Sequence, residues 1–213
     1  MMPRLNSQGT ELLYLSNPGH TKEDTTGIFA VPLSGGAPRL VLREAHIFNL
    51  QCARVRSTLC LYGIDTPGKV VFRRFDPSSG ERSEVATIET TGLGIDWSLA
   101  PDGSQLAIID YRPDNRVIRL RSISTGATHN LAVKGRTGLR SADWSADGKS
   151  LLVSSIDLAG KTALLTVTLG GSSYLLLEDD KNQIAWAIPS PDGHLVAIDE
   201  ASGTSNAWSL ENF

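Results

Sequence analysis

A repeat of about 45 residues constrains this chain more than any other feature. An Asp-Gly pair followed by an apolar run occurs at Asp102-Gly103, Asp147-Gly148 and Asp192-Gly193. Two degenerate copies come earlier, at Gly9 and Arg56. A fixed period of this length indicates units that bury their apolar faces against their neighbours. We therefore interpret the 213 residues as one domain. Its five repeats cover about 1–43, 44–90, 91–135, 136–181 and 182–213.

A second turn motif, a Ser, Thr or Gly followed by Gly, recurs at the same spacing of about 45 residues. It consists of Ser34-Gly35, Ser79-Gly80, Thr125-Gly126 and Gly170-Gly171. Between the markers lie short β-branched and apolar stretches bounded by turn residues, which is typical of antiparallel strands. No segment shows sustained helical periodicity. The pattern predicts an all-β fold, a β-propeller of about five four-stranded blades. The last blade is expected to lack its outer strand, because the next marker would fall at about position 216.

The repeated Asp-Gly pairs are predicted to be turns between the first and second strands of each blade. Aspartate begins a tight turn well, and glycine tolerates the positive φ that such a turn requires. The repeated Trp97, Trp144, Trp186 and Trp208 are interpreted as core residues that fill the wedge between blades. The alternative is that the aspartates of these pairs form a functional ring of carboxylates. A role in the turns is more consistent with their positions.

Composition excludes several function classes. A formal net charge of -3 offers no basic surface for nucleic acid. No apolar run reaches the length needed to span a bilayer, so no membrane contact is predicted. The sequence as given favours the cytoplasm, with the periplasm as the alternative if a leader has been removed. Cys52 and Cys60 are interpreted as buried thiols rather than as a disulfide.

Motifs of catalysis and metal binding are missing from the sequence. Gly160-Lys161-Thr162 and Gly148-Lys149-Ser150 mimic the end of a phosphate-binding loop without its upstream glycine. There is no nucleophile elbow, and the four histidines are scattered without ligand spacing. We therefore predict no catalytic residue, no metal and no cofactor.

The segments around the Asp-Gly pairs resemble a known repeat. Trp144-Ser145-Ala146-Asp147-Gly148-Lys149 and Ser190-Pro191-Asp192-Gly193 are similar to the W-S-P-D-G-K-x-L signature of WD40-like, TolB-type propellers. The end of the chain, 204–213, resembles the closing strand of bacterial propellers that follow a winged-helix or kinase domain. The resemblance implies a non-catalytic module of a larger bacterial regulator, for protein interaction or ligand sensing. Two alternatives are a substrate-gating propeller of a serine peptidase and a five-bladed glycosidase-like enzyme.

Candidate binding residues lie in a loop and on two inner strands. The loop between the second and third strands of the third repeat carries Tyr111, Arg112, Asp114 and Arg116, and Tyr and Arg are frequent in interface hot spots. Asp96 and Asp143 precede tryptophans on predicted innermost strands, which line the central channel. A protein partner or a small ligand is expected there. The chain is predicted to be a monomer or a homodimer paired through an open sheet edge.

Overall fold

A computed structural model describes residues 3–16, 25–54, 57–91 and 94–201, and it contains only strands and loops over these ranges. Blade 1 contains β1 (Arg4–Leu5), β2 (Glu11–Ser16), β3 (Thr25–Pro32) and β4 (Arg39–Ala45). Blade 2 contains β5 (Ile47–Cys52), β6 (Cys60–Thr66), β7 (Lys69–Phe75) and β8 (Arg82–Glu89). Blade 3 contains β9 (Ile95–Leu99), β10 (Gln105–Asp110), β11 (Val117–Ser122) and β12 (Thr128–Ala132). Blade 4 contains β13 (Leu139–Trp144), β14 (Ser150–Ile156), β15 (Thr162–Thr168) and β16 (Ser173–Asp179). Blade 5 contains β17 (Gln183–Pro189) and β18 (Val196–Ala201).

Each blade is an antiparallel meander in which strands pair in sequence order. Four sheets have four strands, and the fifth has two within the described ranges. The predicted all-β propeller is therefore confirmed, and the described part of the last blade comprises two strands. The proposed closing strand, 204–213, and Trp208 lie outside the described residues.

The hydrophobic core lies between blades rather than within any one of them. Each of four clusters of buried side chains combines residues from two successive blades. Between blades 2 and 3, for example, Phe72 packs edge-on against Trp97 with their ring centroids 5.0 Å apart. A four-stranded sheet has two apolar faces, and stacking on both neighbours buries them.

The Asp-Gly pairs form the predicted tight turns between first and second strands. Gly103 and Gly148 have φ angles of 75° and 69°, which only glycine adopts without strain. Asp147 accepts a hydrogen bond from the Lys149 N–H at 3.0 Å. The hydrogen bond from the Ser145 hydroxyl lowers the pKa of Asp147 most, and the Lys149 N–H lowers it further. These exposed carboxylates thus close turns, as the sequence predicted.

Our interpretation of the cysteines as free thiols is wrong. Cys52 and Cys60 lie directly opposite each other on β5 and β6, and their sulfur atoms are bonded as a disulfide. Both residues are buried, as expected. A separation of eight residues indicates a disulfide only when the register of the hairpin is known, and this repeat lacks the Asp-Gly marker that would have fixed that register.

Candidate functional site

The first strands of the five blades can be aligned with one another, because one hydrogen bond is repeated in every blade. In each blade, a backbone N–H just after the first strand donates across the hairpin to a carbonyl at the start of the second. The donors are Asn6, Ala53, Ala100, Ser145 and Ser190. The residues two positions earlier are therefore equivalent, namely Arg4, Gln51, Ser98, Asp143 and Ile188. Four positions earlier stand Asn49, Asp96, Ser141 and Trp186 in blades 2 to 5.

Several of these axial side chains tie one blade to the backbone of the next. Gln51 donates to the Trp97 carbonyl at 3.0 Å and accepts from the Leu99 N–H at 2.9 Å. Asp96 accepts from the Ala142 N–H at 3.0 Å. Ser141 donates to the Ala185 carbonyl at 2.6 Å. Polar side chains at the axis thereby supply hydrogen-bond partners to backbone groups of the neighbouring blade.

The carboxyl group of Asp96 lies in an environment that favours its protonated form. Burial raises its pKa from 3.8 to about 7, and the nearby charge of Asp143 adds to the rise. The N–H groups of Ala142 and Trp97 and the charge of Arg4 oppose it. Burial dominates because the side chain is almost completely removed from solvent.

We expect Asp96→Asn to remove a pH dependence of stability. A folded pKa raised from 3.8 to about 7 means that the contribution of Asp96 is fully present below about pH 4 and is lost as the pH rises through 7. Between about pH 4 and pH 8 the variant should therefore gain on the order of 3 kcal/mol relative to wild type. Denaturant titrations at both pH values measure the gain. The exposed Asp114→Asn is the matched control, and an equal change in both variants would contradict the assignment.

Asp143 lies at the centre of a network that crosses the ring. Arg4 of blade 1 donates to Asp143 of blade 4 at 3.1 Å, and the Arg54 guanidinium approaches the same carboxylate at 3.5 Å. Arg54 also reaches the carbonyls of Trp144 and Pro189 at 3.4 Å. Burial lowers the pKa of Arg54, with Asp143 opposing and Arg4 adding to the effect. The network links blades 1, 2, 4 and 5 at one point.

Two larger cavities lie at opposite ends of the first strands, with a narrow space between them. The narrow space has about 10 Å³ and is lined by Arg4, Gln51, Asp96, Asp143 and Trp186, among others. The cavity at the turn end, here called the Arg54 mouth, has about 380 Å³. Its lining includes Arg4, Leu12, Arg54, Leu99, Asp143, Ile188 and Pro191. The cavity at the opposite end, the Tyr111 mouth, has about 340 Å³ and is lined by Tyr111, Arg140, Ser141, Ile156, Thr162 and residues 183–186.

The predicted binding residues occupy three different environments. Tyr111 is half-buried in the wall of the Tyr111 mouth, and burial, followed by the charge of Asp96, raises the pKa of its phenol. Arg112, Asp114 and Arg116 are exposed on the loop that follows it. Asp96 and Asp143 line the narrow axial space. The structure thus places Tyr111 close to Asp96, and it places Asp143 on the side of the Arg54 mouth.

Sequence reasoning missed three residues that shape the two cavities, and its interpretation of Trp186 as a core residue is wrong, because Trp186 lies in a cavity wall. Arg4 and Arg54 belong to the degenerate repeats, and Arg140 and Trp186 lie on β13 and β17. Trp186 is half-buried at the axis, whereas Trp97 and Trp144 are 1% and 2% exposed and form core. Arg4 lies five residues before Gly9, as Asp143 does before Gly148, so the spacing of the repeats could have indicated Arg4 as an axial residue.

Neither a metal cluster nor a spanning helix is found in the described ranges. No group of three or more His, Cys, Asp or Glu side chains is arranged to hold a metal ion among these residues. Over the same residues no helix is long and apolar enough to cross a membrane.

Comparisons with known proteins identify the fold. No family model matches the chain, and no curated protein matches it either. TolB from Acinetobacter baumannii superposes with a TM-score of 0.73 at 16% identity, over 92% of this chain and 47% of that one. A putative TolB from Agrobacterium tumefaciens gives 0.69 at 19% identity, over 94% and 69%. Puromycin hydrolase gives 0.58 at 16% identity, over 90% and 32%. The chain therefore spans about half the length of the first of these, and the likeness shows a TolB-type β-propeller fold.

Proposed function

We propose that this propeller is a non-catalytic module that binds a protein partner through the loop Tyr111–Arg116 and the adjoining Tyr111 mouth. The proposal rests on one observation: Arg112, Asp114 and Arg116 are exposed beside a cavity with aromatic walls. Tyrosine, tryptophan and arginine supply most of the energy at protein interfaces. Tyr111, Trp186 and Arg140 line one cavity, so the three types occur together.

The axial carboxylates have structural partners, which supports a binding role over a catalytic one. Asp143 is paired with Arg4 and Arg54, and Asp96 accepts a backbone N–H. A glycosidase needs two carboxylates facing a shared substrate space. Here the space that both carboxylates line has about 10 Å³, which is too small to hold a sugar ring.

The placement of this module within a larger bacterial regulator rests on the resemblance of 204–213 to the closing strand of bacterial propellers that follow a winged-helix or kinase domain. We propose it as the context in which partner binding would regulate another domain. The sequence of the flanking gene tests it directly. A helical regulatory domain upstream would support it, and an α/β-hydrolase domain downstream would favour the peptidase alternative.

We expect Arg112→Ala/Arg116→Ala to weaken partner binding by about 2 kcal/mol, or roughly thirtyfold in Kd, because both guanidinium groups are exposed on the proposed surface. A partner captured by cross-linking to the wild-type chain is purified, and its Kd for each variant is measured by calorimetry.

The matched control is Arg43→Ala/Lys134→Ala, which removes the same charge from exposed positions outside the loop. It should bind as wild type does. Equal affinities for wild type and both double variants would show that the loop is not the contact surface.

A further inference from the structure

The Arg54 mouth carries more positive than negative charge. Among the described residues, its charged lining consists of the guanidinium groups of Arg4 and Arg54 and the carboxylate of Asp143. Their side chains are 14%, 27% and 7% exposed, so solvent screens them only in part. A partly buried charge in excess is unfavourable unless an opposite charge is supplied. A ligand of negative charge would supply it.

Both guanidinium groups have donors left over. The Nε of Arg4 is buried and has no hydrogen-bond partner among the described residues. Among the described residues, the Arg54 guanidinium group makes only long contacts, at 3.4 Å to two carbonyls and 3.5 Å to Asp143. A guanidinium group offers five N–H donors in a planar arrangement that matches a carboxylate. The unused donors of Arg54, beside the charge of Arg4 in the same cavity, favour a carboxylate ligand over a cation.

The uncharged part of the lining is mostly apolar, with the polar side chains of Asn6, Ser7, Gln8 and Gln51 among it. Leu12, Leu99 and Ile188 line the cavity together with three prolines, Pro3, Pro189 and Pro191. Its volume of about 380 Å³ falls within the range of small-ligand pockets. The cavity therefore pairs a charged floor with apolar walls, which fits a ligand with one anionic end and an apolar body.

We propose that the Arg54 mouth binds a carboxylate that has an apolar body, with the carboxylate held by Arg54 and Arg4. The site lies at the opposite end of the first strands from Tyr111–Arg116, so it is independent of the proposed partner surface. Two sources share this chemistry: a free organic acid and the C-terminal carboxylate of a peptide.

The experiment measures binding of four probes to the full chain by calorimetry. Hexanoate and its neutral isostere hexanamide test the free acid. N-acetyl-Leu-Leu with a free or an amidated C-terminus tests the peptide end. We expect at least one carboxylate to bind at least tenfold more tightly than its amide, and the tighter pair identifies the source. Equal binding of carboxylate and amide in both pairs, or no binding at all, would overturn the proposal.

Variants assign the binding to this cavity. Arg54→Ala should weaken the carboxylate at least tenfold, and Arg54→Lys, which keeps the charge without the planar donor pair, should weaken it less. The Arg4–Asp143 pair remains in both, so the fold is expected to persist. Arg43→Ala, on β4, should bind as wild type does. Carboxylate binding that Arg54→Ala and Arg54→Lys leave unchanged would place the ligand elsewhere and refute this site, whatever the outcome for the partner surface.

Discussion

Asp143→Ala is expected to lower the free energy of unfolding by about 4 kcal/mol. The substitution leaves the guanidinium groups of Arg4 and Arg54 facing each other at the ring centre without the carboxylate that both approach. Removal of one partner from a buried ion pair costs more than the pair itself contributes, because the remaining charge stays out of water. Denaturant unfolding at neutral pH measures the loss.

Two further variants test this explanation. Asp114→Ala removes an exposed carboxylate and should change stability by less than about 0.5 kcal/mol. Asp143→Ala/Arg4→Met also removes the more buried of the two stranded charges, and it should recover at least half of the loss. If the double variant were no more stable than Asp143→Ala, uncompensated charge would not be the cause.

Local chemistry explains why the fold could be predicted from the sequence. The turn at Asp102-Gly103 requires a side-chain acceptor and a positive φ within two adjacent residues, and few other pairs provide both. The strands between such turns are short, so each strand pairs with the next one in sequence. This gives the order of strands in each blade. The blade order needs only the repeat, because each blade packs on its neighbours in sequence.

The tryptophans of blades 3 and 4 do not occupy equivalent positions, although the Asp-Gly turns of the two blades align. Leu99 pairs with Leu106, and Trp144 pairs with Leu151 at the same place in the next blade. Trp97 therefore lies two residues before the position of Trp144, because blade 3 has two more residues between its tryptophan and its turn. Both rings still face a blade interface, since a shift of two residues keeps a side chain on the same face of a strand.

The candidate site was less accessible to sequence reasoning, because its residues meet only through the ring. Arg4 and Asp143 are in contact although 139 positions separate them. Arg54 follows β5 in the second repeat, where the turn marker is degenerate. Nothing in the local sequence therefore indicated where its side chain lies. In contrast, the loop Tyr111–Arg116 could be proposed from composition alone, because a loop between second and third strands is exposed in any blade.

Trp144→Ala is expected to destabilise the propeller by about 4 kcal/mol, the second large effect. The indole is 2% exposed and belongs to the cluster shared by blades 3 and 4. Its Nε1 donates to the Ser98 carbonyl of blade 3 at 3.4 Å. Truncation would leave a cavity between two sheets whose positions are fixed by the rest of the ring, so little collapse can offset the lost contacts.

Trp186→Ala provides the matched control for the loss of the buried indole between blades 3 and 4. Trp186 occupies an axial position and is half-buried in the wall of the Tyr111 mouth, so its truncation should cost only about 1 kcal/mol. The two variants remove the same side chain from the same class of strand, and thermal or denaturant unfolding compares them directly. Core packing between blades requires the larger loss at Trp144. A larger loss at Trp186 would mean that axial contacts, rather than the clusters between sheets, hold the blades together.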